Sequence, residues 1–282
     1  MHSTLISTEE LARRLGDPAL VVVDVRHDLM QPDAWGESRY AESHIPGARF
    51  VHLDRELSAA KNGRNGRHPL PSVEEATALF SRVGIDAHKQ VVAYDQNAGM
   101  FAARLWWMLR WLGHDAVAVL DGGFEQWTSE GRPVTSQLPV VEPAVFVARQ
   151  VKSTMTTADV LDDLNAPTLT LLDARAPERF RGEIEPLDPV AGHIPGAINR
   201  FYGSNVDTQG RFKSPQALRN EFAQLLGTAP LERVVHYCGS GVTACHNQLA
   251  MEVAGLPGTQ LFPGSWSEWC ADESRPVAVG YA

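Results

Sequence analysis

A cysteine at the mouth of a glycine-rich turn is the side chain in this sequence best equipped for chemistry. Cys238 opens the run Cys-Gly-Ser-Gly-Val-Thr-Ala, Cys238 to Ala244. Before it stands Val234-Val235-His236-Tyr237, an apolar stretch of strand length; after it, from about Cys245 to Val253, the sequence suits a helix. Gly239 and Gly241 let the backbone curl around the sulfur. Successive N–H groups can then point inward, joined by the positive end of the following helix. Such a setting favours a thiolate and stabilises negative charge on sulfur. A buried structural cysteine is the bland alternative. Two glycines, a serine and a threonine within five residues of Cys238 argue against it. Cys238 is therefore the candidate nucleophile. The amides of Gly239, Ser240, Gly241, Val242, Thr243 and Ala244 are its candidate cradle. Thr243 serves equally well as a helix cap. His236 lies on the strand, where side chains alternate, so it need not face the cysteine.

The elements that must position this loop occur twice. Val-Asp-Val-Arg (Val23 to Arg26) and Ser-His-Ile-Pro-Gly-Ala (Ser43 to Ala48) in the first half match Leu-Asp-Ala-Arg (Leu172 to Arg175) and Gly-His-Ile-Pro-Gly-Ala (Gly192 to Ala197) in the second. In both copies the histidine follows the aspartate by twenty residues. Val91 to Asp95 matches Val234 to Cys238, and Asp121 to Trp127 matches Pro263 to Trp269. A repeat of half the chain is too long for a solenoid and reads as two duplicated globular domains. Asp95 stands where the second copy has Cys238.

These blocks resemble the tandem-domain rhodaneses, and the loop Cys238 to Ala244 is most similar to that of their 3-mercaptopyruvate sulfurtransferase branch. The resemblance implies two rhodanese-like α/β domains, each a parallel sheet covered by helices on both faces. It places a noncatalytic domain over residues 1–140 and a catalytic domain over 155–282. It also implies transfer of a sulfane sulfur from 3-mercaptopyruvate to cyanide or a thiol through a Cys238 persulfide, with thiosulfate as the alternative donor. Arg179 matches the family's substrate arginine, a residue suited to anions. A second arginine is expected after a Glu-Pro pair, but Leu187 follows Glu185-Pro186. Arg104 is a substitute candidate for substrate binding, with a structural ion pair as the competing use. In this branch Ser240 joins a relay with a histidine and an aspartate. By motif match the histidine is His44, with Asp33 as the aspartate. His193 occupies the same motif in the second copy, so His44 equally reads as a turn anchor.

Composition agrees with this organisation. The 282 residues suit two domains, and 44% hydrophobic residues supply ordinary cores. A net charge of -9 argues against nonspecific nucleic-acid binding. No apolar stretch approaches a membrane span of about 20 residues. The start of the sequence lacks signal-peptide architecture. Cys238, Cys245 and Cys270 form no C-x-x-C pair and no disulfide framework. A reducing cytoplasm is expected. No metal, dinucleotide or other cofactor is implied. The expected partners are a small sulfur donor and a thiol acceptor, thioredoxin-like proteins included.

Alternating strands and helices are predicted in each half. Strands fall at Leu20–Val25, Val91–Tyr94, Ala116–Leu120, Leu169–Asp173, Val234–Tyr237 and Gln260–Phe262. Helices fall at Ser72–Val83, Ala102–Leu112, Pro215–Leu226 and Thr243–Ala254, with a capping box at Ser72 and Glu75. Short all-apolar strands separated by helices imply parallel sheets. The linker is placed near 131–154. Lys61 to Arg67 reads as a solvated loop. Arg26 and Arg175 are expected to pair with the preceding strand aspartates. A Cys-dependent phosphatase would need arginine six residues after the cysteine, and Ala244 stands there. A noncatalytic scaffold would lack a nucleophile in both halves.

Overall fold

The computed structural model describes residues 1–149 and 151–281. It divides into two compact units. Unit 1 comprises 1–59, 71–152 and 207–212; unit 2 comprises 60–70, 153–206 and 213–282. The chain passes from one unit to the other at 59/60, 70/71, 152/153, 206/207 and 212/213. Each unit also includes a short segment from the other half of the sequence, which the repeat analysis did not foresee.

Unit 1 holds strands β1 (Leu5–Ile6), β2 (Leu20–Asp24), β3 (Arg49–Phe50), β4 (Gln90–Tyr94) and β5 (Val117–Leu120). They pair in the order β1-β5-β4-β2-β3, every pair parallel. Its helices are α1 (Thr8–Arg14), α2 (Trp35–Glu42), α3 (Leu53–Glu56), α4 (Val73–Arg82), α5 (Ala102–Trp111) and α6 (Gly123–Ser129). Every residue of β4 and β5 is buried, as a strand covered on both faces requires. The capping box forms as expected: Ser72 Oγ accepts from the Glu75 N–H, and the Glu75 carboxylate accepts from the Ser72 N–H.

Unit 2 holds β6 (Thr170–Asp173), β7 (Ile198–Asn199), β8 (Val234–Tyr237) and β9 (Gln260–Leu261), paired β7-β6-β8-β9 and again all parallel. Its helices are α7 (Thr157–Asp163), α8 (Pro177–Phe180), α9 (Pro215–Leu226), α10 (Thr243–Val253) and α11 (Ser265–Trp269). Trp266, Trp269, Phe180, Phe262 and Tyr237 form the centre of its core. The expected strand and helix bounds agree with these elements to within one residue.

The same buried ion pair locks each sheet. Arg26 and Asp24 meet at 2.7 Å, as do Arg175 and Asp173, with all four side chains almost wholly enclosed. An aromatic ring covers each guanidinium, Phe124 at 4.1 Å from Arg26 and Trp266 at 4.8 Å from Arg175. The pair offsets the cost of burying either charge alone. Among the described residues no helix is long and apolar enough to cross a membrane.

Candidate active site

The cysteine loop of unit 2 lies between the C-terminal end of β8 and the start of α10. Cys238 lies at that end, 2% exposed. Its N–H donates to Ser265 Oγ at 3.0 Å, and its carbonyl accepts from the Trp266 N–H at 2.9 Å. The Ser267 N–H donates to the Gly239 carbonyl at 2.9 Å. These three bonds fasten the loop to α11. The Gly241 N–H donates to Cys238 Sγ at 3.2 Å, the inward-pointing amide the sequence led us to expect. Gly241 has φ +77°, and a β-carbon there would sit 2.2 Å from the Pro263 carbonyl oxygen. Only glycine fits this corner. Val242 occupies the N-cap position of α10, and Thr243 is the first helical residue, so Thr243 is not the cap. Ala244 is buried.

Ser240 is held by a histidine that sequence reasoning missed. Ser240 Oγ and His68 Nδ1 are 2.7 Å apart in a buried hydrogen bond. His68 belongs to the segment 60–70, which is part of unit 2. The candidate His44 is engaged elsewhere: Nδ1 meets the Tyr40 carbonyl at 2.7 Å and Nε2 the Gln137 carbonyl at 3.2 Å. It stacks on Tyr40, and its backbone bridges Thr135. His193 repeats this pattern, with Nδ1 at 2.7 Å from the Phe180 carbonyl, a stacked Phe180 ring and a bridge to Ala278. Both motif histidines therefore anchor the tail of their unit. Of the two readings open for His44, the turn anchor agrees with these contacts, and the histidine hydrogen-bonded to Ser240 is His68. Asp33 lies exposed in the turn before α2, so it lacks the buried setting that a relay carboxylate needs.

In the loop 61–67, Lys61 to Arg64 are exposed as expected, and Arg67 is the exception. Arg67 donates from its backbone N–H to Ser267 Oγ at 3.0 Å, and its guanidinium pairs with Asp188. A signal was available. Gly66-Arg67-His68 aligns with Gly210-Arg211-Phe212 in the second copy, so the loop recurs in both halves. Proline after His68 also restricts the backbone to extended conformations.

Two guanidinium groups flank Gly239. A β-carbon at that position would lie 2.8 Å from Arg67 Nη2 and 3.5 Å from Arg179 Nη1. Arg179 is the expected substrate arginine, and it pairs with Glu185 at 2.6 Å and Asp188 at 3.2 Å. Glu185 Oε1 also accepts from the Leu187 and Asp188 N–H groups at 3.0 and 3.1 Å, which fixes the turn that presents Asp188. Burial pushes the Asp188 carboxyl above its usual range against the pull of Arg67. Arg104 is fully buried in α5, and its guanidinium reaches the Leu57 carbonyl at 3.4 Å. That carbonyl contact belongs to the packing of unit 1. His236 is wholly buried on β8, and burial alone pushes its pKa down to about 3. Cys245 Sγ donates to the Gly241 carbonyl at 3.3 Å, a packing contact one helical turn into α10, and Cys270 is buried. Among the described residues no group of three His, Cys, Asp or Glu side chains is arranged to hold a metal.

Unit 1 carries the matching loop with a different occupant. The Asp95 carboxylate accepts from the N–H groups of Gly99, Phe101 and Ala102 at 3.1, 2.7 and 3.0 Å. Burial pushes its carboxyl up to about 7 against the pull of these donors.

Two parallel α/β units with one loop built around a cysteine and its counterpart around an aspartate define a class of protein. The chain belongs to the rhodanese-like domain family, whose pattern matches residues 7–130 and 156–272. Among its relatives, a Pseudomonas aeruginosa protein with the provisional name 3-mercaptopyruvate sulfurtransferase is 47% identical over 279 residues, covering 98% of each chain. A Mycobacterium tuberculosis protein, SseB, with the provisional name thiosulfate sulfurtransferase, is 42% identical over 288 residues, covering 99% of this chain and 98% of its own. The crystal structure of SseA from Escherichia coli, described as a 3-mercaptopyruvate sulfurtransferase, superposes with a TM-score of 0.81 at 29% identity, covering 95% of this chain and all of that one.

Proposed function

We propose that the enzyme transfers a sulfane sulfur from 3-mercaptopyruvate to cyanide or a thiol, thioredoxin-like proteins included, through a persulfide on Cys238. A single observation carries the choice of donor: the 2.7 Å hydrogen bond between Ser240 and His68 beside the cysteine loop. Mercaptopyruvate gives up its sulfur only if its carbonyl can take the electron pair as an enolate. A hydroxyl backed by an imidazole can supply a proton at that oxygen. A thiosulfate donor leaves as sulfite and has no such need.

The Cys238 thiolate attacks the donor sulfur, and an S–S bond forms. The S–C bond breaks, and its electron pair becomes the enolate of pyruvate. Ser240 donates to the carbonyl oxygen, and His68 replaces that proton. The outer sulfur keeps the donor's thiol proton, and the Gly241 N–H stabilises charge on Cys238 Sγ. Arg67 and Arg179, on either side of Gly239, take the donor carboxylate. An acceptor such as cyanide then attacks the outer sulfur. The S–S bond breaks, the pair returns to Cys238, and thiocyanate leaves with release of one proton. A reducing cytoplasm suits a nucleophile that must stay a free thiol.

Thiosulfate is the second reading, favoured by the two guanidinium groups, which offer a dianion two charged partners. Steady-state rates with both donors under cyanide separate the readings. The expected result is activity with both, mercaptopyruvate ahead in kcat/KM but with a high KM because Leu187 replaces an arginine. Ser240→Ala should depress the mercaptopyruvate rate alone. Thiosulfate ahead by a wide margin, or an equal loss with both donors, would replace the first reading by the second.

A further inference from the structure

We propose that Asp188 sets which donor the site accepts, by neutralising the arginine pair so that a monoanion is preferred over a dianion. This rests on the proposed sulfur transfer at Cys238. Asp188 is a bridge: one carboxylate oxygen pairs with Arg67 and the other with Arg179 at 3.2 Å. The Asp188 side chain is 2% exposed, so water does little to screen it. Glu185, 4% exposed, engages Arg179 from the other side. Glu185 also pairs with Arg175, whose charge is already matched by Asp173. The guanidinium groups that flank Gly239 thus face two carboxylates, and the local charge sums to zero.

Orientation and attraction are separated by this arrangement. Arg67 and Arg179 still offer N–H groups to an anion. The net Coulomb pull, which grows with the charge of the ligand, is cancelled. A donor that relies on hydrogen bonding at a carbonyl is served by Ser240 and His68. A donor that relies on its second negative charge gains nothing from the site.

The test is the ratio of kcat/KM for thiosulfate to that for mercaptopyruvate in Asp188→Asn, Asp188→Glu and the parent enzyme, at low and high salt. Removing one charge about 6 Å from a bound anion, at an effective dielectric constant of 20–40, changes binding about tenfold or more per unit of anion charge. Asp188→Asn should therefore raise the ratio about tenfold through a lower KM for thiosulfate. The gain should shrink as salt rises. Asp188→Glu keeps the charge and should keep the parental ratio. An unchanged ratio in Asp188→Asn overturns the proposal, as does a KM that rises for both donors, the result expected if Asp188 only holds the arginines in place. Should Asp188→Asn fold poorly, inhibition of the parent enzyme by sulfate and by acetate tests the same balance: the two should inhibit comparably, and sulfate binding about tenfold or more tighter than acetate overturns the proposal. The underlying reading fails separately: a parent enzyme that gains no sulfur on Cys238 from either donor refutes sulfur transfer itself.

Discussion

Acid should unfold unit 2 from the strand beneath the nucleophile, and His236 is the reason. Its backbone pairs with Leu172 on one side and Leu261 on the other, in the interior of a four-stranded sheet. Its side chain is fully buried, and neither ring nitrogen has a hydrogen-bond partner among the described residues. Burial alone holds its pKa at about 3, against 6.5 for the free imidazole. Above pH 6.5 both folded and unfolded chains carry it neutral, and it adds no pH dependence. Below that, the unfolded chain takes up a proton that the folded chain refuses. Stability falls by about 1.4 kcal/mol per pH unit until the folded pKa is reached, about 5 kcal/mol in all. Near pH 4.5 the loss is on the order of 3 kcal/mol. His236→Leu removes the titrating group at similar volume. At neutral pH it should also relieve an unpaired buried polar ring, a gain of about 1–3 kcal/mol. The measurement is hydrogen exchange of the peptide spanning β8, with urea unfolding, at about pH 7.5 and about pH 4.5. The parent should lose protection of β8 on acidification and His236→Leu should keep most of it. Parallel loss in both proteins would refute the account of His236.

Other expectations are simpler to check. Cys238→Ser should lose all sulfur transfer with the fold intact, and mass spectrometry of the parent after donor treatment should find one added sulfur on the Cys238 peptide. His68→Asn should lower kcat with mercaptopyruvate by about 10²–10⁴ and leave thiosulfate turnover nearly unchanged; an equal loss with both donors would exclude the relay. Leu187→Arg should lower the mercaptopyruvate KM with little change in kcat, the mark of added uniform binding. A fragment of residues 153–282 lacks Arg67 and His68, so it should transfer little sulfur from mercaptopyruvate. Full activity in that fragment would show that the segment 60–70 has no part in the site.

The fold was legible because its signals are local and repeated. The strand period, the Ser72–Glu75 cap and the Asp24–Arg26 and Asp173–Arg175 pairs all act within a few residues. Cys238 was legible because glycines on both sides of a serine have few other uses after a buried strand. His68 was not, because its partner Ser240 lies 172 residues away and no sequence period reports such a pairing. His44 drew attention by its motif, yet a motif present in both copies serves what both copies share. The shared task is tying down the segment after the last helix of each copy, as the matching backbone bridges His44–Thr135 and His193–Ala278 make plain. Arg67 was hidden by composition, since a glycine- and arginine-rich run looks solvated until its ion pair with Asp188 is seen.

Asp95 limits how the first copy could diverge after duplication. Three amides converge on its carboxylate in a closed interior. With alanine or valine at this position those donors would face nothing, at roughly 1–3 kcal/mol each. A loop shaped to hold an anion can lose its reactivity far more easily than its need for an acceptor. Few side chains meet that need, and a short carboxylate is one that leaves the backbone in place. By the same reasoning, what the two loops have in common is carried by their peptide bonds rather than by the side chain each one holds.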